Sequence, residues 1–176
     1  MINKYIILGV VLVTYLIPTS SFATSDTLKN NDGYKESVDL IKKMGRQGVI
    51  KFIVKVQRDH VKEYGSSLDE YTTVIGIIGN QFGFVQTTQF NIDSMLDDVN
   101  KQRVKVDKKT VDKNKLISSF KEGGNYYNSQ VNMVCSTPST RALIDYDIEY
   151  TYKNFDKNMG LIGLVRVDKA KCIEIE

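Results

Sequence analysis

Two cysteines, one histidine, one pair of adjacent aspartates and a run of lysines are the residues of this sequence best able to do chemistry. Cys135 and Cys172 are its only thiols. They lack the CxxC spacing of a redox-catalytic pair. In an exported chain an even count reads as a disulfide, and with two cysteines the connectivity is forced. Closing the segment from Ser136 to Lys171 would contribute up to roughly 4 kcal/mol by loop-closure entropy. The other reading, two buried free thiols, does not suit an oxidising compartment.

His60 is the sole histidine, so a Ser-His-Asp or Cys-His centre would have to use it. No GxSxG elbow accompanies any serine. His60 lies in the polar stretch Asp59 to Asp69 and reads as a solvated loop residue. Zinc requires three or four ligands, and the cysteines are committed to each other. Asp97 and Asp98, near a helix start, point to different faces and complement the helix dipole rather than share a proton or a metal. There is no phosphate-binding glycine loop, dinucleotide fingerprint or calcium loop. The expectation is a chain with no catalytic, cofactor-binding or metal-binding residue. Lys101 to Lys109 holds four lysines and Arg103, interrupted by Asp107; it reads as a solvated connector, although it could meet phosphate or an acidic partner. Tyr126, Tyr127, Tyr146, Tyr150 and Tyr152 crowd the last third of the chain. Of these, Tyr146, Tyr150 and Tyr152 are the candidate partner surface, because tyrosine offers a large area with a polar tip.

The elements that would carry these residues begin after a leader. Met1 to Lys4 bears one positive charge, Tyr5 to Ile17 is apolar, and Pro18 to Ala23 is polar, with Ser21 and Ala23 as small residues before a cleavage point. Residues 1–23 therefore read as a signal peptide, with an uncleaved N-terminal anchor as the alternative; Pro18 cuts the apolar run short of the roughly 20 residues a span needs. Both place the rest of the chain beyond the inner membrane, in the periplasm. Of the 176 residues, what remains is one ordinary domain. A hydrophobic share of 41% with 26% charged is globular composition. The net charge of +3 is too small to argue for nucleic acid, and a membrane contact is expected only through the leader if it is retained.

Residues 24–33 are polar and read as a flexible lead-in to a single domain over 34–176. Tyr34 to Met44 has helical spacing and stops at Gly45 and Gly48. Val49 to Arg58 alternates as a strand, with Phe52, Val54 and Val56 on one face. Tyr71 to Gly79 is β-branched and apolar, as in a central strand, and Phe84 to Phe90 is its hairpin partner. Asn91 to Val99 starts a helix. Thr110 caps another, which ends at Gly123-Gly124. Tyr127 to Cys135 alternates as a strand. Thr137 and Pro138 open a short helix, and the strands from Ile148 to Tyr152 and Leu161 to Val167 form a hairpin. The expected fold class is α+β: a mostly antiparallel sheet with a few helices, ending in a strand–helix–hairpin unit closed by the disulfide.

That unit, from Val134-Cys-Ser-Thr-Pro-Ser-Thr-Arg-Ala-Leu-Ile144 through Cys172, behind one N-terminal hydrophobic segment, resembles the small periplasmic companion proteins of membrane-bound transcription activators, of the PsaF/MyfF and TcpH type. The resemblance is architectural. It implies a non-enzymatic protein that binds the periplasmic domain of an activator of a fimbrial or virulence operon. The alternative is a periplasmic immunity protein or inhibitor of a toxin or hydrolase, which would favour a strongly charged epitope for fast association.

Overall fold

The computed structural model describes residues 25–174, so the leader lies outside the described residues. Seven helices and four strands follow in the order α1 (Ser25–Lys29), α2 (Asp32–Tyr64), β1 (Thr72–Gly79), β2 (Gly83–Phe90), α3 (Ile92–Lys105), α4 (Lys113–Ser118), α5 (Asn125–Ser136), α6 (Pro138–Asp145), β3 (Glu149–Asp156), β4 (Leu161–Val167) and α7 (Lys169–Ile173).

The segment expected as a flexible lead-in instead carries α1, whose Leu28 is buried. Asn31 caps α2 by accepting a hydrogen bond from the Gly33 amide. The expected stop at Gly45 is a break within α2, where the backbone turns to φ +70°, a region that L side chains rarely enter. The chain then resumes as helix, so the strand expected over Val49 to Arg58 is a helix. Its buried residues are Val49, Ile50, Ile53, Val54 and Gln57, a set spaced by three and four. The helix runs on to Tyr64, which places His60 on its last turns rather than in a loop, with its ring 4.7 Å from that of Tyr64.

The β1–β2 hairpin forms as its sequence suggests. The Asn80 side chain accepts from the amides of Phe82 and Gly83 to make the turn. Arg46 and Gln47, just past the break in α2, donate to the Gln81 carbonyl and hold the hairpin tip. Asn91 caps α3 through the Ser94 amide. Asp112, not Thr110, caps α4. The strand expected over Tyr127 to Cys135 is helix α5, buried at Tyr127, Gln130, Val131, Val134 and Cys135. Thr137 and Pro138 open α6 as expected, without a side-chain cap bond. The hydroxyl of Thr140 donates to the Val134 carbonyl across the α5–α6 junction at 2.5 Å.

The sheet order is β1-β2-β3-β4. Both hairpins are antiparallel, whereas β2 and β3 pair in parallel, so the sheet is mixed. In that ladder a Cβ on Gly83 would fall 2.0 Å from the Glu149 carbonyl oxygen; glycine is required there for the two backbones to meet. β1, expected at the centre, is an edge strand.

The helices bury one face of the sheet. The larger core joins Ile50, Ile53 and Val54 of α2 to Val131 and Val134 of α5, Leu143 and Ile144 of α6, and Phe84, Tyr150, Tyr152, Val165 and Val167 of the sheet. A second, smaller core gathers Phe90, Ile92, Phe120 and Ile162. Cys135 and Cys172 are bonded, with Cα atoms 5.3 Å apart, and the link ties α5 to α7.

Asp93 fastens three elements near the smaller core. One carboxylate oxygen lies 2.6 Å from Lys113 Nζ and the other 2.5 Å from Lys157 Nζ. These two hydrogen bonds hold its pKa down at about 2, against an ordinary 3.8. A depressed carboxylate pKa stabilises the fold above the unfolded value and ceases to do so as pH falls through the folded one. Asp93→Asn should therefore be less stable than the parent at pH 6. The gap should close as pH falls from about 4 to about 2. Thermal melts of both proteins across that range measure it, and a constant gap would refute the assignment.

Candidate functional site

The sheet face opposite the helices is open among the described residues. Three rows of side chains cross it, set by strand register. The first runs Ile78, Val85, Thr151, Arg166; the second runs Gly76, Thr87, Lys153, Leu164; the third runs Thr73, Gln89, Phe155, Leu161. Ile75 sits in the bulge of β1 beside them. An antiparallel sheet with one solvated face ordinarily alternates apolar inward with polar outward. Here Ile75, Ile78, Leu161 and Leu164 are 43%, 52%, 58% and 53% exposed on the outward side. Val85, in the middle, is closed off from solvent by its neighbours.

Two cationic groups stand among these residues. Glu149 receives both arms of the Arg166 guanidinium at 2.9 Å, a paired geometry that fixes the side chain. Lys153 has no ion-pair partner among the described residues. Phe82, half-exposed at the β1–β2 tip, lies at the Glu149 end, where its carbonyl accepts from the Glu149 amide. The face is thus apolar with a threonine filling, positive at one point and neutralised at another. Such a surface can bind a protein. Among the described residues it carries no histidine or cysteine and no group of metal ligands.

The tyrosines fall elsewhere. Tyr150 and Tyr152 are each 5% exposed and point into the larger core, and burial pushes both phenol pKa values up. Their alternation marks the inner face of β3, so they form no partner surface. Tyr146 reaches the surface at the end of α6, apart from the open face. His60 lies on α2. Asp98 accepts from the Tyr71 hydroxyl and from Lys101, bonds that tie α3 to the loop before β1 and hold its carboxyl below the usual range; Asp97 is unconnected to this pair. Tyr34 donates to Asp145, which also takes Arg141 at 3.0 Å in a shielded cluster. That cluster joins α2 to α6 and reads as structural. The residues of the open face were not singled out from the sequence, although one signal was present: β1 is apolar on both faces, and a sheet that helices cover on one side buries only one of them.

No protein-family model matches the sequence, and no curated protein matches it. Two solved structures are partly similar to it. A pilotin of the Vibrio vulnificus type 2 secretion system, EpsS, is 12% identical, with a TM-score of 0.48 over 72% of this chain and 94% of the pilotin. A candidate secreted protein of Pseudomonas aeruginosa is 13% identical, with a TM-score of 0.40 over 81% of this chain and 97% of that one. At such identities and scores the likeness speaks to neither fold, partner nor ligand.

Proposed function

We propose that this domain is a non-catalytic envelope protein that binds another envelope protein through the open face of its sheet. The observation that carries the reading is the surplus apolar surface of the two edge strands. Ile75 and Ile78 of β1 and Leu161 and Leu164 of β4 remain in solvent on a face the domain does not cover. They flank the threonines and Lys153 of the two middle strands, and apolar side chains left exposed together on one face suit an interaction site. The disulfide and the two cores hold the face rigid, so little ordering entropy is lost on contact. The finer reading follows from the architectural resemblance: the partner is a membrane-bound transcription activator, which the domain protects in the periplasm.

Site-directed cross-linking in living cells tests the face. A photoreactive benzoylphenylalanine at Ile78 or Leu164 should give one discrete adduct in the envelope fraction. The same residue at Lys55, exposed on α2, should give none. Adducts at Lys55 alone, or at none of the three, would overturn the assignment. Activator level in cells lacking the protein tests the finer reading separately: a drop supports it and an unchanged level removes it.

A further inference from the structure

A second surface lies on a different part of the molecule. Between Lys101 and Lys115 stand seven basic residues against Asp107 and Asp112, a local charge of +5 on a chain whose total is +3. The net figure hides this segregation. Lys101 and Lys113 are engaged by Asp98 and Asp93. Lys105, Lys108, Lys109 and Lys115 are exposed and have no ion pair among the described residues.

The turn that carries them is built rather than loose. Asn100 donates from Nδ2 to the Val111 carbonyl at 2.9 Å and accepts the Val111 amide on Oδ1 at 2.8 Å. Arg103 Nε donates to the Lys109 carbonyl at 2.5 Å, and the Lys108 amide donates to the Arg103 carbonyl. Asp107 takes a left-handed φ of 53° to make the corner. The consequence is on the outside: Val104 and Val106 are each 60% exposed, set among the lysines. A solvated connector has no use for two valines in water held in place by four hydrogen bonds.

We propose that this basic turn, Val104 to Lys115, docks on an anionic phospholipid surface. Lys105, Lys108, Lys109 and Lys115 would meet the lipid phosphates while Val104 and Val106 enter the headgroup layer. Lysines beside exposed apolar side chains are the composition of interfacial membrane contacts. Each cation near an anionic leaflet strengthens binding by about fivefold. Lys113, within this turn, shares Asp93 with Lys157, whereas the open face is made by outward residues of the four strands.

The test is co-sedimentation of the purified protein with vesicles, either of phosphatidylcholine alone or with a quarter of the lipid as phosphatidylglycerol. Parent and variants share the same N-terminal residues, so their difference isolates the turn. The parent should bind the anionic vesicles and release in high salt, where screening shortens the reach of the charges. The triple variant Lys105→Gln, Lys108→Gln, Lys109→Gln should bind on the order of 100-fold more weakly with an unchanged melt. Val104→Ser with Val106→Ser should weaken binding several-fold. Millimolar glycerol phosphate should compete poorly. Equal binding by the triple variant, or full competition by glycerol phosphate, would overturn the proposal: the first removes the turn, and the second shows a soluble-phosphate site instead. Neither result bears on cross-linking at Ile78, so the two surfaces stand or fall separately.

Discussion

Replacing Cys135 and Cys172 together with serine should lower the melting temperature by about 10–15 °C. The bond joins residues 37 apart, and constraint of the unfolded chain over that length is worth about 4 kcal/mol. Both sulfurs lie in the larger core, beside Tyr127, Val131 and Val134, so each serine also places a hydroxyl among apolar neighbours. α7 would lose its covalent hold on α5, and the end of β4 should exchange its amides faster. Maleimide labelling under denaturing, non-reducing conditions provides the companion measurement: no label before reduction, two after. A melting shift of only a few degrees in the double variant would mean that α7 is held by packing alone.

Phe120→Ala should cost about 3–5 kcal/mol, the largest effect expected of a single truncation. Phe120 is fully buried, with ring centroids 4.9 Å from Phe90 and 4.3 Å from Tyr126. Gly163 of β4 packs against its backbone, where a Cβ would fall 2.4 Å from the Phe120 carbonyl oxygen. This residue therefore joins the α3–α4 region to the sheet, where Phe90 and Ile162 meet it. Hydrogen exchange should show the loss unevenly, with α3 and α4 opening well before the β1–β2 hairpin. Uniform loss of protection would show that the two cores melt as one.

Much of the fold was legible because local chemistry and final environment agree. Asn80 makes the first hairpin turn, Asn91 caps α3, Thr137-Pro138 opens α6, and Leu161 to Val167 alternates as a strand. The two helical segments misread as strands fail for a shared reason. Phe52, Val54 and Val56 alternate, as do Tyr127, Ser129, Val131, Met133 and Cys135, but each segment also contains a set spaced by three and four. Gln57 and Gln130 complete those sets and are buried. A polar residue on the buried face conceals helical periodicity. The parallel β2–β3 ladder was not legible because nothing local to either strand names its partner. The open face was missed for the complementary reason. Alternation tells which residues of β3 and β4 share a side, while which side meets water depends on where α2 and α5 settle.

The central ladder also governs the order in which this protein can be made. Gly83 pairs with Glu149 and Phe90 with Asp156, so every contact across the middle of the sheet waits for a strand 66 residues further along. Each hairpin can close on its own within microseconds, whereas joining them requires the intervening helices to be gathered first. A chain emerging from its N-terminus thus holds only the β1–β2 half of the sheet until β3 arrives, and Cys172 reaches Cys135 only after β4. Closure of the sheet and oxidation of the thiols are therefore late events in the folding of this chain.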